Sequence, residues 1–354
     1  MKKILSHTDH LPIFTPAFPF ETSIPDIPRL CASLKLETHR FPMPDGCDLH
    51  VELEGSLDAP PIILINGGPG GTHHSFHPHF STAATFSRVI YYDQRGCGLS
   101  GRNDIETPYT TDLAIEDLEA LRQSLKLEKW TLLGHSYGGY LAQCYAHKYP
   151  EHVAGLVLVC ASPAMPHAIL ESSYSKESVR IHSEKQAALF SAKETAYRKW
   201  LPSQFPQIFR RTAAVSEEER PTIKTAYNLF LYNLYVHGKD WKRQSHLKRK
   251  PSIEQLAHGI LYEWDHAHGF NHQMSEEYDK TDLRGVFLES TIPTFLVESK
   301  NDLSWPSDKI ETIRNEHPNA KFLYLEDSAH TPFKDEPDTF FPELERFITE
   351  SAQH

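Results

Sequence analysis

Gly134-His135-Ser136-Tyr137-Gly138 is the most informative segment of this chain. A short apolar run over 130–133 precedes it, and a helix-like stretch with small residues over 139–148 follows it. A serine between two small residues at such a junction is typical of a nucleophile elbow, a sharp strand-to-helix turn that raises the serine hydroxyl at the end of a sheet. Glycines suit the flanks because side chains there would collide with the neighbouring strand and helix. The alternative is a glycine-rich turn that only packs, or one that binds a phosphate.

Short apolar runs alternate with helical patterns on both sides of this pentapeptide. Continuous apolar runs such as 61–65 and 88–92 are expected for strands that are covered on both faces. The alternation predicts a mostly parallel sheet wound with helices on both sides. Predicted strands cover residues 37–41, 49–54, 61–65, 88–92, 130–133, 153–159, 293–297 and 321–325, and predicted helices cover 111–127, 139–148, 307–316 and 337–351.

The alternation stops after Ser162 and resumes at Pro293. Residues 163–286 are polar, rich in Tyr, His and Lys, and helical in pattern, and an insertion above the ends of the strands is well placed to form a lid over a site. The first residues are rich in proline and show no periodicity. We therefore predict an extended arm over 1–36, a core over 37–162 and 287–354, and a helical cap over 163–286.

Composition narrows the class of protein. The chain has 354 residues and a formal net charge of −11, which disfavours nucleic acid as a partner because phosphate binding needs concentrated Lys and Arg. Apolar runs are shorter than a membrane span, and the N-terminus lacks the apolar region of a secretory signal. Five cysteines without a CxxC spacing are expected to be reduced thiols. These features predict a cytoplasmic protein and leave the oligomeric state open, a homodimer included.

A nucleophilic serine needs a base to accept its proton and an acid to orient that base. On an elbow of this kind both partners follow the serine in the order Ser, Asp, His. Asp302 lies in the loop after the strand that follows the cap, and Glu298 is a competing acid that still lies on or beside that strand. His330 lies in the loop after the last predicted strand. The sequence thus predicts Ser136, Asp302 and His330 as the reacting set.

Adjacent glycines over 66–71 directly follow the strand that ends at Ile65. Glycines let backbone N–H groups face a cavity, so we expect one oxyanion donor here, the Gly68 amide, with the Tyr137 amide as the second. The alternative is a flexible turn. Four histidines follow, and they could suggest a metal site: His73, His74, His77 and His79. Since no carboxylate completes a ligand set in the nearby sequence, we predict no metal and no cofactor.

Five segments together carry a resemblance to a known family: Asn66-Gly67-Gly68-Pro69-Gly70, Tyr92-Asp93-Gln94-Arg95-Gly96-Cys97-Gly98-Leu99-Ser100, Gly134-His135-Ser136-Tyr137-Gly138-Gly139, Asp302 with Pro306, and His330. They resemble the proline iminopeptidase family of serine hydrolases with the α/β-hydrolase fold, over about 37–162 and 290–350. The resemblance implies an aminopeptidase or amidase that takes a free amino terminus, often of proline. It places the same roles on the residues predicted above, and implies that Asp93 and Arg95 brace the oxyanion loop through an ion pair and hydrogen bonds.

Two departures from the family pattern bear on substrate choice. The usual histidine before the two glycines is Asn66 here, which can still form hydrogen bonds within the loop. The residue after the acid, often glutamate in relatives that bind an amine, is Leu303. Carboxylates that could replace that glutamate are Glu263 and Asp265 in the cap and Glu298 in the core.

Three functions remain open at this point. The first is a serine hydrolase that cleaves a small amide or short peptide with a free amine through an acyl-enzyme on Ser136. The second is an esterase, lipase or lactonase that uses the same set of residues on a neutral acyl substrate, which Leu303 favours. The third is a ligand receptor that has lost turnover, which the complete set Ser136, Asp302 and His330 disfavours.

Overall fold

The computed structural model describes residues 36–77, 79–101, 103, 107–188 and 268–352. The predicted arm, apart from its last residue, and the middle of the predicted cap, 189–267, lie outside the described residues.

Within the described residues, eight strands form one sheet in the order β1-β2-β4-β3-β5-β6-β7-β8. The first two strands run antiparallel to their neighbours, and the pairs from β4 to β8 are parallel. The predicted mostly parallel sheet is therefore confirmed. The strands are β1 Leu36–Pro42, β2 Asp48–Glu54, β3 Pro61–Ile65, β4 Arg88–Tyr92, β5 Trp130–His135, β6 Val153–Val159, β7 Thr294–Ser299 and β8 Lys321–Leu325.

Helices cover both faces of the sheet, as the alternation predicted. Besides a helical stretch over 176–188, the described helices are α1 Thr111–Ser124, α2 Tyr137–Lys148, α3 His167–Ser172, α4 His268–Lys280, α5 Asp308–Glu316, α6 Pro332–Asp335 and α7 Pro337–Ser351, with 3-10 turns at His73–Ser75, His79–Thr85 and Pro150–His152. One apolar cluster joins the sheet to α1, α2 and α5. A second cluster joins the opposite face to α7 and to the turn at His79–Thr85.

Helix α1 shows how local sequence produces this packing. Thr110 is its N-cap, and the Thr110 hydroxyl accepts a hydrogen bond from the Leu113 amide at 3.1 Å. The apolar residues at helical spacing, Ile115, Leu118 and Leu121, are buried against the sheet. Burial of each such side chain contributes about 1.5–3 kcal/mol, so this stripe fixes the face on which α1 lies.

Strands β6 and β7 are parallel neighbours although the cap separates them in sequence. The described ends of the cap pack onto the core. Tyr278 donates a hydrogen bond to the Pro163 carbonyl at 2.6 Å, and the Leu283 amide donates to the Ala164 carbonyl at 2.8 Å. Both ends of the insertion are thus fixed at the carboxyl edge of the sheet, where β6 ends.

Two further findings within the described residues concern membrane spans and cysteine thiols. None of their helices combines the length and the apolar character that crossing a bilayer requires. Four cysteines are described, and all are free thiols: Cys47, Cys97, Cys144 and Cys160. Cys31 lies outside the described residues.

Candidate active site

Ser136 lies on a sharp turn between β5 and α2, with φ 56° and ψ −123°. A non-glycine residue in this region carries about 1–3 kcal/mol of backbone strain. A Cβ at Gly134 would lie 2.3 Å from the Gly138 carbonyl oxygen, and one at Gly138 would lie 2.0 Å from the Ile65 carbonyl oxygen. Both flanking positions therefore require glycine, and the turn has the geometry of an elbow.

Asp302 and His330 come together across two loops. Asp302 follows β7, His330 follows β8, and His330 Nδ1 donates a hydrogen bond to Asp302 Oδ2 at 2.9 Å. Burial alone would raise the pKa of Asp302, but the charge and hydrogen bond of His330 and the charge of Lys309 lower it well below its ordinary value. Asp302 is therefore an ionised acceptor that fixes the tautomer and orientation of the His330 ring.

The residue before the serine holds the His330 loop against the elbow. His135 Nε2 donates to the His330 carbonyl at 2.7 Å, and the two rings are 4.7 Å apart. Burial, and next the charge of His330, lower the pKa of His135 to about 3, so this ring is neutral. The elbow and the acid–base pair therefore share one rigid contact at the carboxyl end of the sheet.

The glycine loop after β3 lies directly against the serine. A Cβ at Gly67 would lie 2.9 Å from the Ser136 Cβ, and Gly68 has a φ of 121°, a conformation that favours glycine. Tyr137 is the first residue of α2, so its N–H has no acceptor within the helix. The predicted donors at Gly68 and Tyr137 thus belong to the two segments that meet at Ser136.

Asn66 stands where the family usually has a histidine, and its hydrogen bonds fix the start of the glycine loop. It is fully buried, its Nδ2 donates to the Tyr92 carbonyl at 3.2 Å, and its Oδ1 accepts from the Ser75 hydroxyl at 2.5 Å. The Gln94 side chain donates to the Asn66 carbonyl at 3.0 Å. The start of the glycine loop is thereby fixed to β4 and to the following 3-10 turn.

Asp93 and Arg95, which the resemblance implied as braces of the oxyanion loop, have different partners. Asp93 accepts hydrogen bonds from the backbone amide and the ring of His73, both at 2.8 Å, and so braces the segment after the glycine loop. Arg95 instead pairs with Asp117 of α1, at 2.6 Å, and with Asp45 of the β1–β2 turn. Arg95 thus joins α1 to the β1–β2 turn, whereas Asp93 braces the segment after the glycine loop.

Glu298, the competing acid, forms a buried ion pair with Lys309. Its carboxylate is 1% exposed, and both of its oxygens accept hydrogen bonds from Lys309 Nζ, at 2.7 and 2.6 Å. Burial alone would lower the pKa of Lys309, but the carboxylates of Glu298 and Asp302 raise it, so the ammonium form is held beneath the acid loop. Sequence patterns gave no sign of this buried pair.

The described start of the predicted cap contacts the loop of Asp302. Residues 176–188 are helical, and Gln186 Nε2 donates to the Leu303 carbonyl at 2.8 Å. His182 lies on the same helical stretch. Burial lowers the pKa of its ring, and the charge of Asp302 partly opposes that shift. The predicted amine ligands Glu263 and Asp265 lie outside the described residues.

The fold brings carboxylates from outside the nearby sequence to the loop histidines. Carboxylates do lie beside the loop histidines: Glu52 of β2 is 2.9 Å from His77 Nε2, and Asp93 is 2.8 Å from His73 Nδ1. Glu52 is distant in sequence, so inspection of the segment after the glycine loop could not find it.

A serine on a strand-to-helix turn, with a histidine–aspartate pair on loops that the residue before the serine holds by a hydrogen bond, is typical of α/β-hydrolases. The family model described as alpha/beta hydrolase fold matches residues 60–337, and the chain belongs to that family. The protein is therefore a hydrolase.

Two relatives of similar length are proline iminopeptidases. The chain is 25% identical over 300 residues to "Proline iminopeptidase" of Saccharolobus solfataricus, covering 81% of this chain and 84% of the relative. It is 27% identical over 299 residues to "Proline iminopeptidase" of Lactobacillus helveticus, covering 82% of this chain and 90% of the relative. The resemblance seen in the sequence motifs is confirmed.

Solved structures of varied activity share the fold. A bacterial membrane phospholipase A superposes with a TM-score of 0.61 at 18% identity, covering 90% of this chain and 87% of that chain. An aryl esterase described as putative, from Burkholderia cenocepacia, superposes with a TM-score of 0.59 at 20% identity, covering 90% of this chain and 100% of that chain. At these identities the structural likeness shows the fold alone.

Proposed function

We propose that this protein is a serine hydrolase that cleaves a small amide or short peptide beside a free amino terminus, through an acyl-enzyme on Ser136. The observation that carries the proposal is the 2.9 Å hydrogen bond between Asp302 and His330, on a loop that His135 ties to the elbow. The similarity to proline iminopeptidases over most of the chain supports the choice of substrate class.

In the proposed reaction, the Ser136 hydroxyl attacks the scissile carbonyl and His330 Nε2 accepts its proton. Asp302 stabilises the imidazolium that results. The Gly68 and Tyr137 amides donate hydrogen bonds to the oxyanion. His330 then gives the proton to the departing amine, the C–N bond breaks, and the acyl group remains on Ser136. Water, deprotonated by His330, releases the acid and restores the serine.

Recognition of the free amine needs a carboxylate that is not already neutralised. Glu298 is poorly suited because Lys309 occupies both of its oxygens. Glu263 and Asp265 of the cap remain our proposed ligands for the substrate ammonium. A hydrogen bond to a charged group contributes about 1.5–3 kcal/mol, which corresponds to about a 10- to 100-fold preference for the free amine.

Hydrolysis of a neutral ester is the second candidate, favoured by Leu303. At the position after the acid, where amine-binding relatives often carry glutamate, this chain has an apolar side chain, and the Leu303 carbonyl is bound by Gln186. An apolar acyl group would contact such a surface without a charged partner.

Substrate pairs that differ in one group distinguish these functions. Proline p-nitroanilide and its N-acetyl derivative share the scissile amide but differ in the charge of the amine. We expect kcat/KM for the free amine to exceed that for the acetylated compound by about 10- to 100-fold. Equal hydrolysis of the two, or hydrolysis of p-nitrophenyl butyrate alone, would favour the esterase. Failure of a fluorophosphonate to label the protein would favour a receptor without turnover.

A further inference from the structure

Three histidine side chains converge on one carboxylate beside the glycine loop, apart from the acid–base pair. Glu52 Oε2 lies 2.9 Å from His77 Nε2, and Glu52 Oε1 lies 3.7 Å from His73 Nε2 and 3.5 Å from His50 Nε2. The three histidine side chains are 3–6% exposed, and the Glu52 side chain is 15% exposed. His50 Nε2 is buried and has no hydrogen-bond partner.

The spacing of these atoms matches a small metal ion. Metal–nitrogen and metal–oxygen distances of about 2.0–2.1 Å in a tetrahedral zinc site place neighbouring ligand atoms about 3.4 Å apart. The separations from the Glu52 oxygens, 2.9, 3.5 and 3.7 Å, lie around that value. The ligand atoms of Glu52, His73 and His77 all lie within 4.8 Å of one another. One ion can therefore reach these atoms after small side-chain movements.

Neighbouring groups orient the ring nitrogens toward the carboxylate. Asp93 accepts a hydrogen bond from His73 Nδ1–H at 2.8 Å, which leaves the lone pair of a neutral His73 ring on Nε2, the atom nearest Glu52. A carboxylate behind a ligating histidine is the usual outer partner of a metal site. His77 stacks on Tyr91, with ring centroids 4.1 Å apart, which fixes its plane.

The charge of the cluster also favours a cation. Two carboxylates, Glu52 and Asp93, lie among the three histidine rings. A divalent ion would balance them.

We propose that Glu52, His73 and His77 bind a divalent transition-metal ion beside His50, and that zinc fits this nitrogen and oxygen set best. The ion joins β2 to the segment that follows the glycine loop. It stabilises the position of that loop and takes no part in the transfer of the acyl group.

The sequence contains this site in two halves. His50 and Glu52 are two positions apart on β2 and so lie on the same face of the strand. His73 and His77 lie four positions apart across a 3-10 turn and the turn after it. The sheet brings β2 next to β4, whose end carries Asp93, and this pairing assembles the halves.

The test uses the full-length protein, stripped with a chelator and dialysed. Zinc is titrated into it, bound metal is measured by mass spectrometry, and the Tm is recorded with and without zinc. We expect about one equivalent of tightly bound zinc and a rise in Tm of several degrees. Cobalt bound in place of zinc should show the intense visible absorption of a tetrahedral site. Glu52→Gln and His77→Gln should each lose the tightly bound equivalent.

His152→Gln is the matched control, because His152 also lies near a carboxylate, 3.8 Å from Glu119, but outside the cluster. It should bind zinc as the unaltered protein does. If the unaltered protein takes up no stoichiometric zinc and its Tm does not change, the proposal is overturned, and this measurement needs no variant. Retention of the tight equivalent by both Glu52→Gln and His77→Gln would overturn it equally.

Discussion

Replacing Asp302 with asparagine removes one charge and keeps the shape of the side chain. In the proposed reaction His330 becomes an imidazolium, and Asp302 stabilises that charge through the 2.9 Å hydrogen bond. With an effective dielectric constant of about 20, unit charges about 4 Å apart interact by about 4 kcal/mol, and by about 6 kcal/mol at the hydrogen-bond distance itself. Since 1.36 kcal/mol is a factor of ten, Asp302→Asn should lower kcat/KM by about 10³- to 10⁴-fold.

Two assays measure this loss. One is hydrolysis of the best p-nitroanilide or p-nitrophenyl substrate, and the other is the rate of labelling by a fluorophosphonate, which does not depend on the natural substrate. Asp327→Asn is the control, because Asp327 is exposed and lies three residues before His330. It should react as the unaltered protein does. If Asp302→Asn folds normally and keeps activity within about tenfold of the unaltered protein, the assignment of the acid is wrong.

Three further predictions concern stability. Gly138→Ala should lower the Tm and slow fluorophosphonate labelling, because the added Cβ would lie 2.0 Å from the Ile65 carbonyl oxygen of β3. A normal Tm together with a normal labelling rate would contradict the elbow geometry. Glu298→Gln should lower the free energy of unfolding by about 3–5 kcal/mol, because it leaves Lys309 buried without its counter-charge. In urea unfolding, Glu298→Leu combined with Lys309→Met should recover most of that loss. Equal loss in the two variants would refute this reasoning. Burial raises the pKa of Asp335 to about 6, so the folded state binds the extra proton and stability falls as pH rises from about 4 to 6. Asp335→Asn should therefore be more stable than the unaltered protein near pH 8, by up to about 3 kcal/mol, and the gain should vanish below about pH 4; a gain that does not depend on pH would exclude this cause.

Patterns of local sequence were sufficient to predict the sheet. Strands such as β5 and β6 are continuous apolar runs because both faces are covered, and this signal needs no knowledge of their neighbours. The order of serine, acid and base along the chain then placed Asp302 and His330 in loops that the structure brings together. Their prediction needed only the topology of the sheet.

Contacts between distant segments could not be predicted from the sequence. The sequence did not indicate the partner of Arg95, which is Asp117 of α1. Glu52 was missed as a partner of His77 because 25 positions separate them and only the completed sheet places them side by side. The contact between His135 and the His330 loop is of the same kind, since one hydrogen bond joins segments 195 positions apart.

Covalent labelling can show whether the Ser136 hydroxyl is the nucleophile. The full-length protein is treated with a fluorophosphonate and digested, and the modified peptide is identified by mass spectrometry. We predict a single adduct on Ser136, formed about 10³-fold or more faster than in Asp302→Asn, and no adduct in a folded Ser136→Ala variant. An adduct on another residue, or equal labelling of Ser136→Ala, would contradict the account.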